Sequence, residues 1–382
     1  MSIKPSILKE NYRSFLSDER ILLTGHSHQA WPDCARDALN EGFEHAAQHV
    51  DDKWSFAFQK ADRVRRAIGT YFDVDSQRVA LGQNTHELFC RYLSCLPENR
   101  RHVVVSEGEF HSVSRQLRAL EGQVLSISWV ATHPVDTLVE RMLEHVRDDT
   151  GALICSWVLF HTATIVPNLD QFCEVLDPEK TSVFLDGYHG FMAVPPAFSQ
   201  KTRQNAFLSG GGYKYAQWGE GVCFMTIPDG YPYRPRFTGW FSDFENLDAP
   251  RRSVLGYGRS LASAFSGSTY DPLSHYRAAA VADFFEAQRM NAHSLRELSI
   301  AQCEFLIERL GESTLVTPKT ATSRGGFLAY RQENAQSLVG ELRRKGVFAD
   351  ARGDLIRFGP APYTTYSELE RAAELIRPLM AN

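Results

Sequence analysis

Between residues 50 and 230 the chain alternates helix-like segments with short β-rich runs, at Arg78 to Leu81, His102 to Ser106, Val124 to Trp129, Ala152 to Phe160, Thr181 to Leu185 and Gly221 to Ile227. Alternation of this kind predicts a mainly parallel sheet covered by helices on both faces. Several of the runs are apolar throughout, as strands shielded from water on both sides must be. Open sheets of this class hold their ligands at the carboxyl ends of the strands. The polar residues that follow these runs are therefore the candidates for chemistry.

After Tyr231 the pattern changes to a Pro- and aromatic-rich connection up to Trp240 and a Gly/Ser-rich turn region from Gly256 to Thr269. Ala-rich helical segments then run from Pro272 to Leu310, stopped by Gly311, and β-like runs follow at Gly326 to Tyr330 and Leu355 to Phe358. Ser367 and Glu370 have capping-box spacing and are expected to open the last helix. The expected fold class is α/β, with a large domain over residues 51–255 and a smaller C-terminal α+β domain over 256–382. Residues 1–50 form an arm that contributes to the small domain.

Bulk properties remove several functions. The chain has 382 residues, 41 basic and 46 acidic, a formal net charge of -5 and no blocks of like charge, so it lacks the basic footprint of a nucleic-acid or anionic-membrane binder. No uncharged apolar run is long enough to span a bilayer, and the first twenty residues read as neither signal nor transit peptide. Seven cysteines without C-x-x-C spacing argue against a disulfide framework or a zinc site, and no metal is expected. A small-molecule enzyme of the cytoplasm fits these facts.

The segment Phe207-Leu-Ser-Gly-Gly-Gly-Tyr-Lys214-Tyr places a lysine in a glycine-rich turn just before an apolar strand. Such a lysine is either a surface residue of a flexible loop or an amine in use. A Schiff-base lysine needs a depressed pKa and close backbone access to a flat cofactor, which flanking glycines allow. Upstream, Phe184-Leu-Asp186-Gly-Tyr-His189 ends an apolar strand in an acid suited to pair with a protonated pyridine nitrogen. Alone, Asp186 reads as a turn residue and His189 as a core histidine; beside Lys214 both readings weaken. Asn84 and Thr85 stand where a strand runs into a helix, the place for a phosphate cradle or a plain N-cap. Phe110, with His111 next to it, follows another strand and offers a ring to stack on the cofactor or to pack in the core.

Together these residues resemble the fold-type-I pyridoxal-phosphate enzymes of the class V aminotransferase group, and kynureninase most of all. Asp186-Gly-Tyr-His189 resembles the group's Asp-x-x-His cofactor motif, and Tyr213-Lys214-Tyr215 the kynureninase Tyr-Lys-Tyr. Thr238-Gly-Trp240-Phe241 is similar to the family's Gly-Trp-Phe, and Ile356-Arg357-Phe358-Gly359 to its carboxylate-binding segment. The resemblance implies a seven-stranded, mainly parallel sheet and pyridoxal 5'-phosphate bound as a Schiff base to Lys214. Asp186 would pair with the pyridine nitrogen, Phe110 stack on the ring, and His189 lie by the ring or phosphate. Asn84, Thr85, Tyr213 and Trp240 would hold the phosphate, which Ser268 of a neighbouring subunit completes in a homodimer. Arg357 would bind the carboxylate of an amino acid substrate.

The chain also departs from that family. The acidic residue that follows the stacking aromatic is replaced by the stretch His111-Ser112-Val113, and an Asn-Tyr-Arg-Thr-Gly region reads Leu159-Phe160-His161-Thr162-Ala163. The polar edge Gly25-His26-Ser27-His28 makes Ser27 and His28 candidates for substrate contact. The expected reaction is hydrolytic side-chain cleavage with Lys214 and Tyr213 as the catalytic pair. The alternatives are a class V aminotransferase, a cysteine desulfurase or selenocysteine lyase relying on Cys303, and a non-catalytic binding protein.

Overall fold

The computed structural model describes residues 3–16, 19–248, 250 and 255–380. In chain order its strands are β1 (Ile21–Leu22), β2 (Val79–Gly82), β3 (His102–Ser106), β4 (Ser126–Val130), β5 (Thr150–Ser156), β6 (Ser182–Asp186), β7 (Ala206–Gly211), β8 (Cys223–Thr226), β9 (Leu328–Arg331), β10 (Val347–Phe348), β11 (Asp350–Arg352) and β12 (Leu355–Phe358). The large sheet has seven strands in the order β2-β8-β7-β6-β5-β3-β4. Only β8 runs against the others. Every residue of β3, β5, β6 and β7 is buried, which accounts for their unbroken apolar character.

One apolar run outlasts its strand. The expected strand from Ala152 to Phe160 leaves the ladder after Ser156, where the Trp157 N–H turns to the Asp186 carbonyl at 2.8 Å and Val158 bridges to Ile165. Burial of the loop, with Trp157, Val158 and Leu159 entering the core of the large sheet, rather than strand pairing, keeps Trp157 to Phe160 apolar. The last helix, Tyr366–Met380, is capped two residues before the expected position. Thr365 Oγ1 accepts from the Glu368 N–H at 3.3 Å, and Glu368 accepts from the Thr365 N–H at 2.9 Å. Both Thr365 and Ser367 have an acid three residues on. Glu370, however, is held by Arg309 at 2.5 Å.

The smaller unit has its own core. β11, β12 and β9 form an antiparallel sheet, and Leu306, Leu328, Ile356, Phe358 and Ile376 pack behind it. β1 pairs with β10 in parallel, so Ile21 and Leu23 of the arm enter that core. The helix Leu273–Ala287, grouped by sequence with residues 256–382, instead buries Ala278, Val281 and Phe285 in the core of the large sheet. All seven cysteines are unpaired, and no helix among the described residues is long and apolar enough to cross a membrane.

That long helix also shapes the loop after Lys214. The Arg277 guanidinium donates through Nε to the Trp218 carbonyl at 2.5 Å and through Nη2 to the Glu220 carbonyl, while lying 4.4 Å over the Trp31 ring. Between those carbonyls Gly219 has φ +69°, and a Cβ there would come within 2.6 Å of Trp31. Charge-assisted hydrogen bonds of this kind are worth about 1.5–3 kcal/mol. Arg277→Met, which keeps the stem over Trp31, should therefore lower unfolding free energy by about 2–3 kcal/mol in urea titrations. A change below about 0.5 kcal/mol would show that the loop does not depend on these bonds.

Candidate functional site

The carboxyl ends of β2, β3, β5, β6 and β7 lie at one edge of the sheet, and the residues that follow them enclose a cavity of about 170 Å³. Its walls bring together Asn84, Thr85, Phe110, Asp186, His189, Tyr213 and Lys214, seven of the positions singled out in the sequence. Gln83, Ser112, Ser156, Phe160, Tyr188 and Glu220 are among the other residues of the wall.

β7 ends in glycine because Tyr188 crosses it: a Cβ on Gly211 would sit 2.1 Å from the Tyr188 hydroxyl oxygen. Three residues on, the Lys214 side chain turns inward and is only 5% exposed. Its Nζ donates to His189 Nε2 at 2.5 Å and lies 4.9, 5.6 and 5.7 Å from the ring centres of Tyr188, Phe110 and Tyr213. Burial removes the water that would solvate an ammonium and lowers its pKa from 10.5 to about 7. The Asp186 charge opposes that shift, and the Arg357 charge adds to it. Burial, then Lys214, holds His189 well below the usual histidine range, so a neutral imidazole accepts the lysine hydrogen bond. Its Nδ1 is buried without a partner.

Asp186 ends β6 and accepts the Tyr188 N–H at 2.9 Å. Burial raises its pKa, partly offset by that bond and by Lys214. A second acid, not singled out in the sequence, stands close by. Glu109 is 3% exposed and accepts from the Ser156 N–H at 2.7 Å and hydroxyl at 2.8 Å, where Ser156 is the β5 partner of Asp186. Burial first and the Asp186 charge second push the Glu109 carboxyl up to about 8. Thus an acid does stand at the site, one residue before Phe110 rather than after it. Its signal was present in Ser106-Glu-Gly-Glu-Phe110, an acidic run directly after an apolar strand.

Asn84 caps the helix Thr85–Ser94, its side chain accepting the Glu87 N–H at 3.0 Å, so the start of that helix faces the cavity. First-turn N–H groups of a helix lack internal acceptors and suit an anion. Phe110 forms part of the wall, whereas His111 stands behind it with its ring 5.3 Å from that of Phe110. At the mouth, His28 stacks on Tyr213 at 5.1 Å and approaches Glu220 at 3.7 Å. Ser27 donates instead to the Thr24 carbonyl at 3.1 Å.

Like Ser27 and His28, three further positions are not in the cavity wall of this single chain. Trp240 is 42% exposed and packs against Phe241 and Phe244, with ring centres 4.3 and 5.4 Å away. Ser268 lines a separate groove with His86, Arg91 and Gly239. Arg357 is 3% exposed, points toward the same region, and is held by Asp350 and the Phe160 carbonyl.

Residues 292–376 match the family model of the kynureninase C-terminal domain. An uncharacterized aminotransferase, YcbU, of Bacillus subtilis (strain 168) is 22% identical over 97% of this chain and 97% of its own. A kynureninase of Deinococcus radiodurans is 24% identical over 94% of this chain and 89% of its own. Among solved structures, the cysteine desulfurase of Thermococcus onnurineus NA1 superposes with a TM-score of 0.82 at 14% identity, covering 100% of this chain and 99% of that one. The cystine C–S lyase C-DES with its product cysteine persulfide gives 0.81 at 15% identity, covering 96% and 99%. These likenesses establish the fold.

A lysine with its pKa near 7 is a nucleophile at neutral pH. Apoprotein treated with a small phosphate-free aromatic aldehyde, pyridine-4-carboxaldehyde, and trapped with borohydride should be labelled at Lys214 at a rate that rises with pH and levels off above about 7. Peptide mapping across pH 5–10 measures it. A profile still climbing toward 10.5 would mean that burial does not depress the amine.

Proposed function

We propose that this chain is a member of the class V group of fold-type-I pyridoxal-phosphate enzymes, that it binds pyridoxal 5'-phosphate at Lys214, and that it cleaves a side-chain carbon–carbon bond of an α-amino acid hydrolytically, in the manner of kynureninase. The observation that carries this reading is the buried Lys214 amine, bonded to a neutral His189 and set over the ionisable Asp186. The cavity suits the cofactor: Asp186 would meet the pyridine nitrogen, Phe110 one face of its ring, and Asn84 and Thr85 its phosphate. The orphaned Nδ1 of His189 is a buried polar atom that a ligand can satisfy. When bound, the cofactor supplies an aldehyde that captures amines and a ring that stores electrons.

The protein's own groups then have distinct tasks. Lys214 Nζ, half-neutral near pH 7, takes the proton from the substrate α-carbon and can return it. The Tyr213 hydroxyl, pushed up to about 12 chiefly by burial, keeps its proton and acts as a donor. Arg357 binds the substrate carboxylate, since guanidinium matches it with two parallel hydrogen bonds. His28, over Tyr213 at the mouth, is placed to meet the substrate side chain, with Ser27 behind it. In a homodimer, Trp240 and Ser268, which lie outside the cavity of their own chain, would complete the phosphate site of the second copy.

The kynureninase match spans the Arg357 segment and favours hydrolysis. The second reading, a class V aminotransferase, is favoured by the Bacillus relative's match over nearly the whole chain. A desulfurase is disfavoured because Cys303 is buried within the helix Ala292–Leu310, with burial pushing its thiol up to about 11.

Purified protein should be coloured by its cofactor, and Lys214→Ala should lose the borohydride-reducible linkage and at least about 1000-fold of turnover, as loss of a nucleophile does. Kynurenine and 3-hydroxykynurenine should be consumed without any oxo acid. Turnover that requires an oxo acid and leaves the cofactor in an aminated form would establish the aminotransferase instead. A colourless protein that takes up no cofactor would leave only a binding role.

A further inference from the structure

Arg357, on which a substrate carboxylate would bind under the function proposed above, already holds a carboxylate. Its Nε donates to Asp350 Oδ1 at 2.8 Å and its Nη2 to Asp350 Oδ2 at 2.5 Å, the two parallel bonds of a bidentate pair. Its Nη1 donates to the Phe160 carbonyl at 2.6 Å. Phe160 is in the cavity wall; the guanidinium is sealed behind it. Asp350 in β11 lies directly opposite Arg357 in β12, and its side chain is 24% exposed. One partner is thus locked in the interior and the other has a way out to water.

A third residue holds the acid from the far side. His26 Nε2 is 2.8 Å from Asp350 Oδ1, and its ring is wholly buried, stacked on Phe327 at 4.6 Å. The arm that carries it is pinned to the end of β12: the Gly25 N–H donates to the Gly359 carbonyl and the Gly359 N–H to the Leu23 carbonyl, both at 2.7 Å. Burial lowers the His26 pKa to about 4, so its Nε2–H is a neutral donor. Burial would raise Asp350, but the His26 hydrogen bond and the Arg357 charge hold it well below the usual carboxylate range. Asp350 is therefore ionised throughout the physiological pH range.

We propose that Asp350 occupies the seat of the substrate carboxylate on Arg357, so that an α-amino acid binds by exchange, its carboxylate taking the Nε–Nη2 edge while Asp350 turns toward solvent on His26. The exchange conserves the charge facing Arg357, and the departing acid keeps one hydrogen bond from a residue that cannot follow it. Its effect is selection. An intramolecular carboxylate is always present to compete, so a ligand offering a carboxylate alone gains little from Arg357. An α-amino acid, whose amine is captured at the Lys214 end of the cavity, has a second source of affinity and displaces Asp350. Asp350 is then a specificity-determining residue that excludes simple carboxylates from the clamp.

The proposal rests on Arg357 being the clamp, and the test separates the two. Binding of acetate and of L-alanine to the holoprotein is measured by calorimetry for wild type, Asp350→Asn and Arg357→Gln. Exchange requires that Asp350→Asn bind acetate at least tenfold more tightly than wild type, a gain that structural damage does not produce. It also requires that Arg357→Gln lose L-alanine binding. Acetate binding by Asp350→Asn that is unchanged or weaker, with Arg357→Gln still defective, means that Asp350 only orients the arginine, and overturns the exchange. L-alanine binding by Arg357→Gln equal to wild type removes the clamp and the exchange with it. Asp350→Ala gives a second readout: replacing chloride by acetate at equal ionic strength should raise its melting temperature by several degrees and leave wild type unmoved. An absence of that rise counts against the proposal.

Discussion

Everything at the cavity follows from one amine being kept from water. An ammonium group in a poorly solvated interior is costly, and Lys214 answers by giving up its proton near neutral pH rather than near 10.5. The surroundings maintain that state without neutralising it. His189 accepts the amine's hydrogen bond but carries no charge, and the Arg357 charge opposes protonation from beyond the cavity wall. The packing that allows this is local: glycine at the end of β7 admits Tyr188, and Arg277 gathers the loop carbonyls just past the lysine. A reactive amine is thus a consequence of how tightly the strand ends are closed.

The two buried acids divide their roles by the same reasoning. Asp186 and Glu109 face a common interior region through Ser156, and two like charges there cannot both be retained cheaply. Asp186 has the Tyr188 N–H and the nearby lysine to favour its ionised form. Glu109 has only Ser156, and the Asp186 charge works against it. These partners favour the proton on Glu109 and the negative charge on Asp186. Under the proposed function, the acid that would face the cofactor's ring nitrogen is the one whose ionised form is better supported.

Much of this was legible in the order of residues. Strands buried on both faces leave unbroken apolar runs, and the rule that chemistry follows their carboxyl ends pointed to Asn84, Thr85, Phe110, Asp186 and His189. Lys214 was read instead from its glycine-rich turn and Tyr213 from the resemblance, because β7 ends in glycines and was not among the expected apolar runs. Features set by competition between near-equal options were not legible. Thr365 and Ser367 both precede an acid by three residues, and the choice between them depended on Arg309 taking Glu370. Glu109 escaped because an acid was sought after Phe110, where the resemblance placed it. Contacts between distant segments left no local sign: nothing near His26 in the sequence points to Asp350, 324 positions away.

That last contact explains why the arm belongs to the site at all. The amine and its acids are built entirely from the ends of the large sheet, whereas the Arg357 cluster, the carboxylate end under the proposed function, is assembled from three separate pieces: β12 supplies Arg357, β11 supplies Asp350, and the arm supplies His26. The arm is fixed to the small unit by β1 against β10 and by the Gly25 and Gly359 backbone bonds. The Phe160 carbonyl, from the loop that leaves the large sheet after β5, closes the ring from the other side. An amino acid bound as proposed, from Lys214 to Arg357, would bridge these two bodies. Its affinity would then depend on how the small unit is seated as well as on the lysine. Mutations in the arm, remote in sequence from either residue, have a direct physical route to substrate recognition through the acid that His26 holds.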